Sequence, residues 1–188
     1  TVNLRYFKNI ENGYPLPKAF EVSVESVVDV TSLFLGPRNQ WLYAVDASGE
    51  LDVIGIKPKN QIARLYQGSL AMGGNEVTAV MALLGRYSLV VADTSGVITQ
   101  WGIFVSKAGT QLEPMRQFEV ERPSVRMITE PRRKGFMAVD GQGDITLLYP
   151  TSGRVLAEFA AGVSPDAVIA ISPRSNLLVS AQTSSLMQ

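Results

Sequence analysis

Ala44-Val45-Asp46-Ala47-Ser48-Gly49, Val91-Ala92-Asp93-Thr94-Ser95-Gly96 and Ala138-Val139-Asp140-Gly141-Gln142-Gly143 are one phrase written three times. Each closes an apolar run on an aspartate, and a glycine follows three residues later. The interval between copies is 47 residues both times. Repetition at a fixed period of this size is the signature of a repeat architecture, and it points to the fold before any single residue does. It also speaks of architecture more than of chemistry.

Working outward from the middle copy, Val77–Leu83 is a β-branched and apolar run, and Gly85-Arg86-Tyr87 is turn chemistry. Leu89–Ala92 is a second run, almost wholly apolar. Asp93-Thr94-Ser95-Gly96 is a turn in which Asp can bond the backbone and Gly can supply a positive φ. A third run, Val97–Ile103, is followed by a longer loop and then by Arg116–Val120. That is four short strands with turns between them and no sustained helical period. The preceding unit scans as Val27–Leu35, Trp41–Val45, Leu51–Ile56 and Ile62–Tyr66. The following one scans as Val125–Thr129, Phe136–Val139, Ile145–Tyr149 and Val155–Phe159. In the third strands Leu51, Ile98 and Ile145 stand in register, as do Ile54, Trp101 and Leu148.

The second strands are apolar on both faces, which fits a sheet covered on each side by another sheet. One four-stranded sheet cannot bury two apolar faces alone. Radial stacking can, so the expected fold is all-β, a β-propeller of four-stranded antiparallel blades. The alternative is a β-sandwich or an open meander, and a sandwich would not keep a constant 47-residue register. The expected blade units are residues 26–74, 75–121 and 122–164. The ends supply the rest. Thr1–Phe7 and Ala19–Val22 read as third and fourth strands, Ala167–Ile171 and Leu177–Ala181 as first and second. Residues 1–25 and 165–188 together make about one composite blade, which gives about four blades or half of a larger propeller. Three readings stay open: a closed four-bladed ring, a homodimer with eight blades, or a fragment with open edges that invite strand pairing.

The stretch Asp140-Gly141-Gln142-Gly143-Asp144-Ile145-Thr146-Leu147-Leu148-Tyr149, with Thr151-Ser152-Gly153 and Leu156-Ala157-Glu158-Phe159, resembles the tight turn, third strand, Thr-Gly turn and fourth strand of the WD40-type propeller family. Ser172–Ser180 resembles that family's first hairpin. Trp101 stands where the family's Trp-Asp pair has its Trp, but Gly102 follows, and the other units have Ile54-Gly55 and Leu148-Tyr149. The Gly-His pair is absent, because the chain has no histidine. The resemblance therefore implies WD40-like blades without their hydrogen-bonded tetrad. The opening Val2-Asn3-Leu4-Arg5-Tyr6-Phe7 and the general texture also resemble the propeller-like insert of some bacterial phosphate ABC-transporter permeases. That resemblance implies a membrane-associated domain on the periplasmic side.

Composition removes several kinds of chemistry. Lys+Arg and Asp+Glu are balanced at 17 each, so no global field draws nucleic acid. Without Cys there is neither disulfide nor thiolate site, and either cytoplasm or periplasm suits the chain. Without His the commonest general base and metal ligand are missing. No apolar run approaches the roughly 18 residues that cross a bilayer. Thr1 rather than Met opens the chain, which reads as a segment of a longer protein.

The candidate sites carry plain readings beside the functional ones. Arg126, Arg132, Arg133 and Lys134, with Arg122 nearby, form the densest charge cluster and the candidate partner-binding patch. The plain reading is a solvated turn. Asp46, Asp93 and Asp140 could ring a channel and hold Ca²⁺, but turn-capping explains their spacing without an ion. Ser106-Lys107 could form a Ser-Lys pair, yet with Gly109 it reads as a solvated hairpin. Glu119 and Glu121 simply share a strand face. Met72-Gly73-Gly74-Asn75 lacks the Lys-Ser/Thr and the helix of a phosphate loop and reads as a linker. No catalytic residue, metal or cofactor is expected. The expected function is a non-catalytic interaction or regulatory domain whose partner is a protein or the remainder of a larger membrane protein. The alternatives are a soluble WD40-like scaffold and, further off, an enzyme with a carboxylate-based site in the channel.

Overall fold

The computed structural model describes residues 2–5, 18–22, 29–36, 40–57, 61–83, 88–131, 135–161, 164, 167–172 and 178–181. Sixteen strands and no helix are found among them. The chain divides into two compact units, Thr1–Ser69 and Leu70–Gln188.

The first unit holds a two-stranded sheet, β1 (Val2–Arg5) and β2 (Lys18–Val22), and a four-stranded meander. The meander runs β3 (Val30–Leu35), β4 (Trp41–Asp46), β5 (Glu50–Lys57) and β6 (Gln61–Ser69), each antiparallel to the next. β4 is buried from Leu42 onward, and Trp41 meets Tyr43 edge-on at 6.2 Å. Asp52 is a buried carboxylate in this sheet, with Arg64 Nε 3.5 Å away. The register that places Asp52 here places Thr99 and Thr146 in the other two repeats.

The second unit holds two such meanders and a two-stranded sheet. The first is β7 (Val77–Ala82), β8 (Ser88–Asp93), β9 (Val97–Ser106) and β10 (Gly109–Glu119). The next is β11 (Ser124–Thr129), β12 (Phe136–Asp140), β13 (Ile145–Tyr149) and β14 (Arg154–Phe159). The last sheet is β15 (Val168–Ile171) with β16 (Leu178–Ala181). The strand pairs expected at the two ends appear as two-stranded sheets, β1–β2 in the first unit and β15–β16 in the second.

Every residue of β8 and of β12 is buried. Alternation on a strand sends neighbours to opposite faces, so both strands are covered on both sides. Val90, Ala92 and Ile98 pack with Phe136, Ala138 and Leu148 of the following sheet. Phe118 and Phe136 meet edge-on there at 5.8 Å, a favourable aromatic geometry. The opposite face of β12, Met137 and Val139, packs with Ile145 and Ala167 and is flanked by Ile169 and Ile171 of β15. Thr78 Oγ1 donates to the Ser124 carbonyl at 2.6 Å, and Arg116 Nη1 to the Pro150 carbonyl at 2.8 Å. These two bonds tie the β7–β10 sheet to the β11–β14 sheet on either side of the apolar layer. Gly153 leaves room for the second, since a Cβ there would stand 3.0 Å from the guanidinium.

The repeat extends to the irregularities. Each inner strand carries one extra residue opposite its neighbour: Thr31, Thr78 or Val125. These again stand 47 apart. Each outer strand carries a second bulge, at Leu65, Met115 or Leu156, opposite the same step of the third strand. Bulges on edge strands blunt them against pairing with other chains. They also explain Gly55 and Gly102. A Cβ on Gly55 would lie 3.1 Å from Leu65, and one on Gly102 2.5 Å from the Met115 sulfur. The bulged side chain lies across the glycine where the WD40 pattern would place Asp.

One expectation needs correction. Residues 104–115 are not a loop. β9 and β10 run ten and eleven residues and close in a turn at Lys107-Ala108. The Ser106 hydroxyl accepts from the Ala108 N–H, and Gly109 takes a positive φ of 124°. Together they make the tight reversal that the irregular sequence pattern concealed.

Removing the Phe136 ring should cost about 3–5 kcal/mol, the usual penalty for a large aromatic cut from a packed core. Val168 is 70% exposed, and trimming it to Ala should change stability by no more than about 0.5 kcal/mol. Urea midpoints of Phe136→Ala and Val168→Ala check both.

Candidate functional site

Each repeated aspartate is a buried carboxylate that closes its own turn. Asp46 Oδ1 accepts from the Ser48 N–H at 2.9 Å, the Ser48 hydroxyl at 2.6 Å and the Glu50 N–H at 3.1 Å. Asp93 Oδ1 does the same with Ser95 and Val97. Asp140 Oδ1 takes the N–H groups of Gln142 and Asp144. Gly49, Gly96 and Gly143 follow at φ of 86°, 84° and 82°, the left-handed region where a side chain is strained. The turn-capping expectation holds for all three aspartates. Among the described residues no cluster of three His, Cys, Asp or Glu forms a metal site.

The second oxygen reaches outside the turn. Asn75 Nδ2 donates to Asp93 Oδ2 at 3.3 Å, and Arg122 Nη1 to Asp140 Oδ2 at 3.0 Å. Both donors sit 18 residues before their aspartate, at the end of the linker that leads into its sheet. The WD40 resemblance implied blades without a tetrad. Here one linker donor per aspartate ties turn to linker in both sheets of the second unit. Arg122 also reaches Asp144 at 3.1 Å and lies 3.8 Å from Glu121. Burial pushes the Asp140 carboxyl up, but Arg122 and the two backbone N–H groups outweigh it and hold it below its ordinary value of 3.8.

Around this ion cluster lies a cavity of about 290 Å³. Val120, Arg122, Ser124, Thr146, Glu158 and Phe159 are among its lining residues, and Asp140 and Asp144 complete its acidic side. Its size is at the lower end for ligand pockets and suits a single side chain or a small molecule rather than a large cofactor.

A second feature is the arm. β8 pairs with β9 no further than Ser88 opposite Gly102. Among the described residues, Phe104–Ser106 and Gly109–Gln111 pair only with each other and extend about 10 Å beyond the buried Ile103, at about 3.3 Å per residue. Phe104 is 45% exposed, Val105 60% and Met115 55%.

The candidates named from sequence fall in several places. Arg126 lies on β11, three residues before its end, and its Nε and Nη2 atoms are buried with no hydrogen-bond partner. Arg132, Arg133 and Lys134 lie outside the described residues. Ser106 and Lys107 are exposed at the tip of the arm. Glu119 ends β10, but Glu121 lies past it, so the two do not share a strand face. Met72-Gly73-Gly74-Asn75 is the linker between β6 and β7, turned by an Asn75 N–H to Met72 carbonyl bond. Sequence reasoning missed the link from Arg122 to Asp140. The signal for it was the matching 18-residue offset of Asn75 and Arg122 from their aspartates.

No family model matches the chain, and no curated protein matches it. Among solved structures, the crystal structure of a protein from Lactobacillus plantarum, a structural-genomics target, is similar. Its TM-score is 0.59 at 15% identity, and the match covers 80% of this chain and 46% of that one. The chain thus spans less than half the length of that protein, which is propeller-like. Together with the four-stranded antiparallel sheets, this defines the class as all-β and propeller-like. In total 447 solved chains resemble it, and a fold so widely used implies no activity by itself.

The Arg122 link makes a pH prediction. A carboxyl with a lowered folded pKa stabilises the fold above its unfolded value, and that stabilisation disappears as pH falls through the folded one. Urea stability should therefore drop as pH is lowered from about 5 to about 2. Asp140→Asn keeps an Oδ1 acceptor for the turn but cannot titrate, so it should be less stable at neutral pH and show a shallower acid drop. An acid profile parallel to that of the unmodified chain would contradict the assignment.

Proposed function

We propose that this chain is a non-catalytic interaction domain on a propeller scaffold, with the β9–β10 arm as its main contact element. The observation that carries this reading is the projection of Phe104 and Val105 past the sheet, with Met115 exposed beside them at the bulge over Gly102. Adjacent strand residues point to opposite faces, so Phe104 and Val105 leave apolar surface on both sides of the arm. Exposed apolar surface gathered on one projecting element is the mark of a contact site. The repeated aspartates, the residues best placed for carboxylate chemistry, support the same reading because each one caps a turn.

The finer form is the extramembrane domain of a bacterial phosphate-type ABC-transporter permease. It rests on the resemblance of the opening segment and of the general texture of the chain. Membrane-spanning segments on both sides of this domain in the full-length gene product would support it, and a wholly soluble parent protein would end it. A soluble WD40-like scaffold is the alternative. Among the described residues no helix is long and apolar enough to cross a membrane.

The absence of cysteine makes a direct test simple. A photocrosslinker attached to Val105→Cys should give a discrete adduct in the cells that make the full-length protein, and one attached to Ser152→Cys should not. An adduct at twice the protein's mass would identify a second copy as the partner. No adduct from position 105, or the same adducts from both positions, would overturn the reading.

A further inference from the structure

The two linkers of the second unit differ in length, and the difference opens a slot. Leu70–Glu76 leads into β7 with seven residues, whereas Val120–Pro123 leads into β11 with four. The longer linker sends Met72 into the sheet it precedes. The Met72 sulfur accepts from Thr99 Oγ1 and from Gln117 Nε2, each at 3.8 Å. Thr99 and Gln117 stand opposite each other on β9 and β10.

The corresponding pair one repeat on is Thr146 opposite Glu158. Both line the cavity of about 290 Å³. The linker there is three residues shorter. Its one long polar side chain in the cavity wall besides Glu121 is Arg122, which is bonded to Asp140 and Asp144. The place that Met72 fills in one sheet is thus open in the next.

The polarity of the slot is reversed as well. Gln117 offers an N–H to a thioether, which is an acceptor. Glu158 offers a carboxylate, which only accepts. An occupant must therefore bring donors. Four carboxylates line the cavity (Glu121, Asp140, Asp144 and Glu158) against one guanidinium. The walls that would face methylene groups are Val120, Ala138, Ile145, Phe159 and Ala160. Methionine is unbranched, and so is lysine.

We propose that the cavity between Thr146 and Glu158 binds a linear alkylammonium group, as carried by a lysine side chain of a partner or by a free aliphatic amine, in the place where Met72 plugs the preceding sheet. The ammonium pairs with Glu158, and the alkyl chain lies along Phe159 and Val120. Arg122 is neutralised by Asp140 and Asp144, so it does not repel the incoming cation as a lone guanidinium would.

The test follows the backbone amide signals of Ile145, Thr146 and Phe159 by NMR while probes are added to the unmodified chain. N-acetyl-lysine methylamide and 1,5-diaminopentane are the two cationic probes. N-acetyl-norleucine methylamide is the uncharged control, and N-acetyl-arginine methylamide the control for shape. Both ammonium probes should shift these signals saturably in the millimolar range. Glu158→Gln, which recreates the Gln117 arrangement, should weaken them about tenfold or more, equivalent to about 1.4 kcal/mol, with the urea midpoint unchanged. Tighter binding of the capped lysine would assign the slot to a partner's side chain, and tighter binding of the diamine to a free amine. The proposal is overturned if no saturable shift appears. It is also overturned if norleucine or arginine binds as well as lysine, or if Glu158→Gln binds undiminished.

Discussion

A strand that is buried on both faces cannot exist in a lone sheet. β8 and β12 are such strands, and most of the second unit follows from that constraint. Both faces of β12 are met by neighbours, Val90, Ala92 and Ile98 on one side and Ala167, Ile169 and Ile171 on the other, so these sheets stack rather than close on themselves. Stacking brings Phe118 against Phe136 and leaves the outer strands as edges. Those edges are broken by bulges in the same place in every repeat. Polar bonds sit at the rims of the apolar layer, at Thr78 with the Ser124 carbonyl and at Arg116 with the Pro150 carbonyl.

The repeated aspartate serves the same constraint from the end of the strand. It ends a strand that is apolar over the residues just before it, and it must stop that strand within one turn. One oxygen satisfies the turn's amides, and the other is left for whatever the linker brings. In one case that is a neutral Asn75, in the other a charged Arg122. The scaffold is therefore constant while its linkers vary, and variation in function is expected there. Linker length decides whether the slot beside the third strand is plugged by Met72 or left open.

Much of this was legible in the sequence. The 47-residue interval, the Asp-x-x-Gly turns and the apolar second strands are local patterns that bury or bond the same way wherever they occur. The strand pairs placed at the chain ends also appear. What was not legible depends on pairing across strands. Leu65 and Met115 look like ordinary outer-strand residues until their register shows them bulged over Gly55 and Gly102. The arm was hidden because Phe104–Met115 has no clean period and contains Pro114, which an edge strand tolerates. Arg122 was seen as one charge among several. Its partner lies 18 residues away, and only the folded linker brings the two together. Arg126 was grouped with the turn at 132–134 by proximity in sequence, yet it belongs to a strand and buries part of its guanidinium.

The central claim is that each four-stranded sheet is organised around a second strand buried on both faces, with the aspartate turn as its stop and the arm outside the packed region. Amide hydrogen exchange followed residue by residue tests this most directly. The account predicts that β8 and β12, together with the turn amides of Ser95, Val97, Gln142 and Asp144, exchange most slowly, and that Phe104–Gln111 exchanges orders of magnitude faster. Exchange of β8 or β12 as rapid as that of the arm would contradict it, because a strand buried on both faces cannot open without unpacking both.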